Sequence, residues 1–124
     1  MKNFRDLQVW QKAHALTLHI YEATAAFPEN ERFGLTSQMR RAAASVPANL
    51  AEGCSRGSDA DLRRFLQMAM GSASESEYHI LLAHDLGFFA APTYDRLTSE
   101  VQEVKRMLAS FITKITAELQ SPSG

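Results

Sequence analysis

The sequence predicts an all-α fold: an antiparallel up-down-up-down four-helix bundle with a proline-kinked second helix. Three observations carry this reading. Apolar residues recur at spacings of three and four in four separate segments, which places one apolar stripe along an α-helix. Three short stretches rich in Gly, Pro, Ser and Asp interrupt that rhythm. No segment alternates apolar and polar residues as a half-buried strand does.

In the first segment Val9, Ala13, Leu16, Ile20, Ala23 and Phe27 form the stripe. Leu7, Trp10, Leu18 and Tyr21 lie off that line. A helix that is apolar over more than half its circumference needs a second partner, so these four residues are the candidate oligomer interface, the alternative being a broad intramolecular face. "FPENERFG" (27–34) ends the segment with Pro28 and Gly34. The second stripe is Leu35, Met39, Ala42 and Val46, and Pro47 follows inside the same run. Proline has no N–H to give the carbonyl of Ala43, and its ring crowds that carbonyl. The expected result is a bend costing about 3 kcal/mol if nothing compensates. Asn49 is the candidate to satisfy the loosened polar group.

"GCSRGSDAD" (53–61) separates the second helix from the third, and Ser58 with Asp61 reads as a capping box that opens the next helix. The third stripe runs Leu62, Phe65, Ala69, Ser72, Ser76, Ile80, Ala83. Its small central residues allow a neighbouring helix to come close. "GFFAAPTYD" (87–95) is the last break, with Pro92 near the start of the fourth helix, where its missing N–H costs little. Leu97, Val101, Val104, Leu108, Phe111 and Ile115 complete the set. Connections this short make neighbouring helices antiparallel. One domain over residues 1–120 is expected, with a breaker-rich, frayed tail over 121–124.

Composition agrees with a single globular domain. The chain has 124 residues, 45% of them hydrophobic and 22% charged, and a formal net charge of −1. That charge gives no global pull toward nucleic acid or anionic membrane. One cysteine, Cys54, cannot form an internal disulfide, and a reduced, cytoplasmic setting is the simpler expectation. The amphipathic start "MKNFRDLQVWQKAH" does not read as a secretory signal, and no apolar run is long enough to span a membrane.

The residues able to carry chemistry do not assemble into a motif. Cys54 sits beside Gly53 and near Arg56, but no histidine is placed next to it as a base. His14 and His19, and likewise His79 and His84, are five residues apart, roughly 140° around a helix and poor for chelation. Glu75 and Glu77 face different directions, and Glu100 and Glu103 lie on a mixed-charge surface. No phosphate-loop, dinucleotide or paired-cysteine motif is present. No catalytic residue, cofactor or metal is therefore expected, and the chain reads as a non-enzyme.

Charge is distributed unevenly. Between positions 32 and 64 there are six arginines and three carboxylates, a local excess of +3, so the remainder sums to −4. Arg40, Arg41, Arg56, Arg63 and Arg64, on the second and third helices, are the candidate contacts for nucleic acid or a partner. This stretch reads as lacking the interleaved aromatics that single-strand stacking wants.

"FRDLQVWQKAHALTLHIY" (4–21), "FPENERFGLTSQMRRAAASVPANLAEG" (27–53) and "RFLQMAMGSASESEYHILLAHDLGF" (64–88) together resemble the bacterial four helix bundle protein family, also called 23S rRNA-intervening-sequence proteins. The resemblance runs from about Phe4 to Phe89, with the fourth helix agreeing in pattern only. It implies a small helical bundle that builds homopentameric rings, with no assigned catalytic residues. Relatives serve as accessory proteins to the reverse transcriptases of diversity-generating retroelements, where a basic ring engages nucleic acid and the enzyme. Arg40, Arg41, Asn49, Glu52 and Arg56 occupy matching positions. The implied partners are further copies of the chain and, as an alternative function, RNA or DNA or another nucleic-acid-processing protein.

Overall fold

A computed structural model describes residues 3–121. Four helices follow one another: α1 (Gln8–Thr24), α2 (Leu35–Cys54), α3 (Asp59–Asp85) and α4 (Ala91–Leu119). Short 3₁₀ turns at Phe4–Asp6 and Glu29–Glu31 precede α1 and α2. Each helix packs on its sequence neighbours and α1 closes onto α4, while among the described residues the backbones of the diagonal pairs do not approach closely. The α2–α3 seam is the most extensive. Of the tail expected at 121–124, only Ser121 falls within the described residues.

The stripes read from spacing form the core. Val9, Leu16, Ile20, Met39, Val46, Leu62, Ile80, Leu97, Val101, Val104, Leu108 and Ile115 are all buried, and each such side chain contributes about 1.5–3 kcal/mol of transfer free energy. Ala23, Ser72 and Phe111 are only half-buried, while Ala73 is buried one position after Ser72. The small-residue centre of α3 is real: Ala69, Ala73 and Ser76 are buried in the interior.

Helix ends follow local chemistry. Ser58 Oγ accepts the Asp61 N–H at 3.2 Å, but the Asp61 carboxylate turns to Arg64 at 3.5 Å. Pro92 sits in the first turn of α4. After α3, Gly87 adopts φ +79, its N–H donates to the His84 carbonyl, and the Phe88 N–H donates to the Ala83 carbonyl, each at 2.9 Å. This is a Schellman closure, which favours glycine at the left-handed position. The turn brings Phe88 and Phe89 onto Phe27, with ring centroids 5.2 Å apart in both pairs. The two connectors at this end of the bundle are thereby joined.

Helix α2 runs through Pro47 to Cys54 as one segment. The carbonyl that Pro47 leaves without a donor is met from the neighbouring helix: Thr17 Oγ1 on α1 donates toward the Ala43 carbonyl at 3.1 Å and its own Ala13 carbonyl at 2.9 Å. Asn49, the sequence candidate for this role, instead donates to the Ser45 carbonyl at 2.8 Å. Compensation comes from across the interface because Thr17 is buried directly against that turn of α2.

Candidate interaction surface

Where α1 ends and α2 begins, the chain gathers aromatic and cationic side chains. Arg40, half-buried on α2, reaches back across α1. Its Nε donates to Thr24 Oγ1 at 2.9 Å, and its Nη2 donates to the Tyr21 carbonyl at 3.2 Å. A cation placed on the last-turn carbonyls both caps the helix and complements its dipole. The same guanidinium lies over the Tyr21 ring, 4.6 Å from its centroid. Arg41 is exposed one position on. Arg32 extends over the ring of Phe33, 5.4 Å from its centroid, and Phe33 is 88% exposed. Tyr21, Arg32, Phe33, Ser37, Arg40 and Arg41 line a shallow depression of about 490 Å³.

The three arginines of this corner form no ion pair with any described carboxylate. The nearby Glu31 is engaged elsewhere: its Oε1 accepts the Leu35 N–H at 3.2 Å, at the start of α2. The other sequence candidates lie at the opposite end of α2. Arg41 and Arg56 are fifteen positions apart in the chain, about 22 Å along a helix. There Arg56 pairs with Glu52 at 2.9 Å and Arg64 with Asp61 at 3.5 Å. Both guanidinium groups also cover Phe65, at 5.0 and 4.6 Å, and Arg63 donates to Thr116 Oγ1 at 3.4 Å. The five arginines are thus not one surface.

The reading that aromatics do not accompany the arginines is corrected. Phe33 and Phe65 each adjoin an arginine in the chain, and folding sets Tyr21 beneath Arg40. Phe33 was legible as an aromatic off every stripe inside a connector; the Tyr21–Arg40 pairing had no local signal. Of the candidate oligomer residues, Leu18 and Tyr21 are exposed, whereas Leu7 and Trp10 are half-buried against the core. Trp10 lies between Phe4 and His14, with centroids 5.0 and 4.9 Å away.

A comparison with family models matches residues 5–110 to the 23S rRNA-intervening sequence proteins. The chain belongs to that family. The match extends through most of α4, beyond the reach of the sequence resemblance near Phe89. Among solved structures, this family member is similar to a protein of unknown function from the S23 ribosomal protein family of Bacteroides thetaiotaomicron VPI-5482. The identity is 24% over 85% of this chain and 95% of the other, with a TM-score of 0.78, which supports the shared fold. No curated protein matches significantly.

Several other polar residues of this 23S rRNA-intervening sequence family member join its helices. His19 Nδ1 donates to Glu100 at 2.7 Å, and Lys12 pairs with Glu103 at 3.4 Å, pinning α1 to α4. Glu77 accepts from Lys105 at 2.9 Å and Gln102 at 3.3 Å, pinning α3 to α4. The Lys105 hydrogen bond is the main cause holding the Glu77 carboxyl below its usual range. His84 stacks on Tyr94, centroids 4.0 Å apart. His79 is buried and its burial lowers its pKa, against a smaller opposing pull from Glu75. Among the described residues its Nδ1 and the neighbouring Ser76 Oγ have no hydrogen-bond partner. Cys54 is buried beside a depression of about 610 Å³ formed with Gly53, Arg56, Gly57 and Ser58. Among the described residues no three histidine, cysteine or acidic side chains gather into a metal-binding group, and no helix is long and apolar enough to cross a membrane.

Proposed function

We propose that this chain works as a non-catalytic, self-associating helical scaffold. One observation carries the reading: large apolar side chains remain on the outside of a bundle whose own core is already closed. Tyr78 is 59% exposed, and Leu18, Leu81 and Leu86 also face outward. Covering such side chains in a contact between copies removes apolar area from water, which favours association. Subunit number follows from the family resemblance, which implies a pentamer. Light scattering on the purified protein tests it, with an expected mass near five times the 13.8 kDa of one chain; a strict monomer at all concentrations overturns the scaffold. A cytoplasmic setting is part of the same reading, consistent with a single buried thiol.

A second reading, RNA binding, is favoured by the corner where Arg32, Arg40 and Arg41 stand without carboxylate partners. Three cations per copy multiplied around an oligomer turn a modest patch into an avid one. Affinity for structured RNA is expected to fall steeply with salt, and Arg32→Ala with Arg41→Ala to flatten the slope. Arg40→Ala is a poorer probe because Arg40 also caps α1. Arg56→Ala, already neutralised by Glu52, is expected to leave the slope unchanged. A slope indifferent to Arg32 and Arg41 removes this corner from the binding surface.

A further inference from the structure

Phe33 presents an unusual combination. It is the most exposed large apolar side chain among the described residues, and it stands in the connector just before α2, held by neither the core nor an aromatic neighbour. The Arg32 guanidinium lies over its ring at 5.4 Å. Across the same depression the Arg40 guanidinium lies over the Tyr21 ring at 4.6 Å, and exposed Arg41 adjoins it. Each aromatic is therefore accompanied by a cation that no carboxylate neutralises.

We propose that this corner binds an unpaired nucleotide of RNA, with the base stacked on Phe33 and the flanking phosphates held by Arg32 and Arg41; the proposal rests on the RNA reading above. Three arguments favour unpaired over duplex RNA. A duplex offers phosphates and sugars but keeps its base faces stacked internally, so it leaves an exposed phenyl ring unused. An unpaired base supplies the flat apolar face that Phe33 lacks, and guanidinium planes stack on bases as readily as aromatic rings do. The depression of about 490 Å³ is also shallow and open to one side, with room for a splayed base. The opposite arginine cluster lacks these features: Phe65 is buried, and Arg56 and Arg64 are engaged with acids.

The test is fluorescence anisotropy on the intact oligomer, comparing a short labelled polyuridine strand with a labelled RNA duplex of equal length. Phe33→Leu, which keeps apolar volume and removes the ring, is expected to weaken single-strand binding by about five- to a hundredfold, the range of one lost stacking contact, and to leave duplex binding nearly unchanged. Phe33→Tyr is expected to bind the strand like the parent. Oligomer mass is measured on every variant. If Phe33→Leu binds the strand like the parent while Arg32→Ala and Arg41→Ala still weaken it, stacking is overturned and the RNA reading stands. If Phe33→Leu changes the mass and not the affinity, the ring belongs to a contact between copies and the proposal fails. If neither RNA binds, the RNA reading fails and the proposal with it.

Discussion

Thr17 illustrates how one hydroxyl settles a problem created on another helix. Pro47 deprives the buried Ala43 carbonyl of its helical donor, and a buried carbonyl without a partner costs about 1–3 kcal/mol. Thr17 shares its one hydroxyl proton between that carbonyl, at 3.1 Å, and its own Ala13 carbonyl, at 2.9 Å. Thr17→Val, nearly isosteric, is expected to destabilise the parent by about that amount. In a Pro47→Ala background residue 47 again donates to Ala43, and the same substitution is expected to cost less. Urea midpoints of the four variants measure the coupling, and equal costs in both backgrounds would refute it. His79 poses the reverse case, a buried group that resists its charge. Its folded pKa lies below 6.5 because burial disfavours the imidazolium. Well above 6.5 it is neutral in both states and pH has no effect through it. As pH falls below that value the unfolded chain takes the proton first, so stability is lost with acid until the folded pKa is passed. Replacing His79 with Leu is expected to flatten the acid-side slope by up to about 1.4 kcal/mol per pH unit, read from melts across that range; an unchanged slope means His79 is protonated alike in both states.

At the scale of the element, two glycines in helices have opposite meanings. A Cβ on Gly53 would stand 2.9 Å from Phe65 Cβ and 3.1 Å from Leu62 Cδ1. Gly53 is thus the point of close approach in the α2–α3 seam, where an added methyl overpacks at about 1–3 kcal/mol. Gly71 sits exposed in the middle of α3 with nothing within 4 Å of such a Cβ. Gly53→Ala is expected to lower the melting temperature. Gly71→Ala is expected to raise stability by about 0.5–1 kcal/mol through helix propensity. Thermal melts separate the two, and a destabilising Gly71→Ala would place another copy against that face of α3. Connector length and helix stripes were legible because both depend on neighbours in the chain. The Gly53 contact was not, since it depends on which residues of α3 arrive opposite.

For the whole molecule, the proposed self-association ties stability to concentration. If folded subunits assemble, the melting temperature is expected to rise with protein concentration by mass action. Melts over a hundredfold dilution check this, and a constant midpoint argues against assembly in that range. The interhelical pins between α1 and α4, His19 with Glu100 and Lys12 with Glu103, are partly exposed. Pairs of this kind contribute about 0–1 kcal/mol each. They set register more than stability, and the closed apolar core provides the larger share.

The sequence alone determined four amphipathic helices, where they break, and most of the stripe residues that form the core, because those properties arise from spacing within a few turns of chain. It also marked the candidate arginines without showing that they fall into two groups. The pairs Glu52–Arg56 and Asp61–Arg64 stand at i,i+4 and i,i+3 spacing, so local chain geometry already sets them. Only the tertiary structure decided that Arg40 crosses to α1 and stacks on Tyr21 beside Arg41, Arg32 and an exposed Phe33. Which side chains meet a cation from another helix depends on what the fold brings within a few ångströms of it, and spacing along one helix does not encode that.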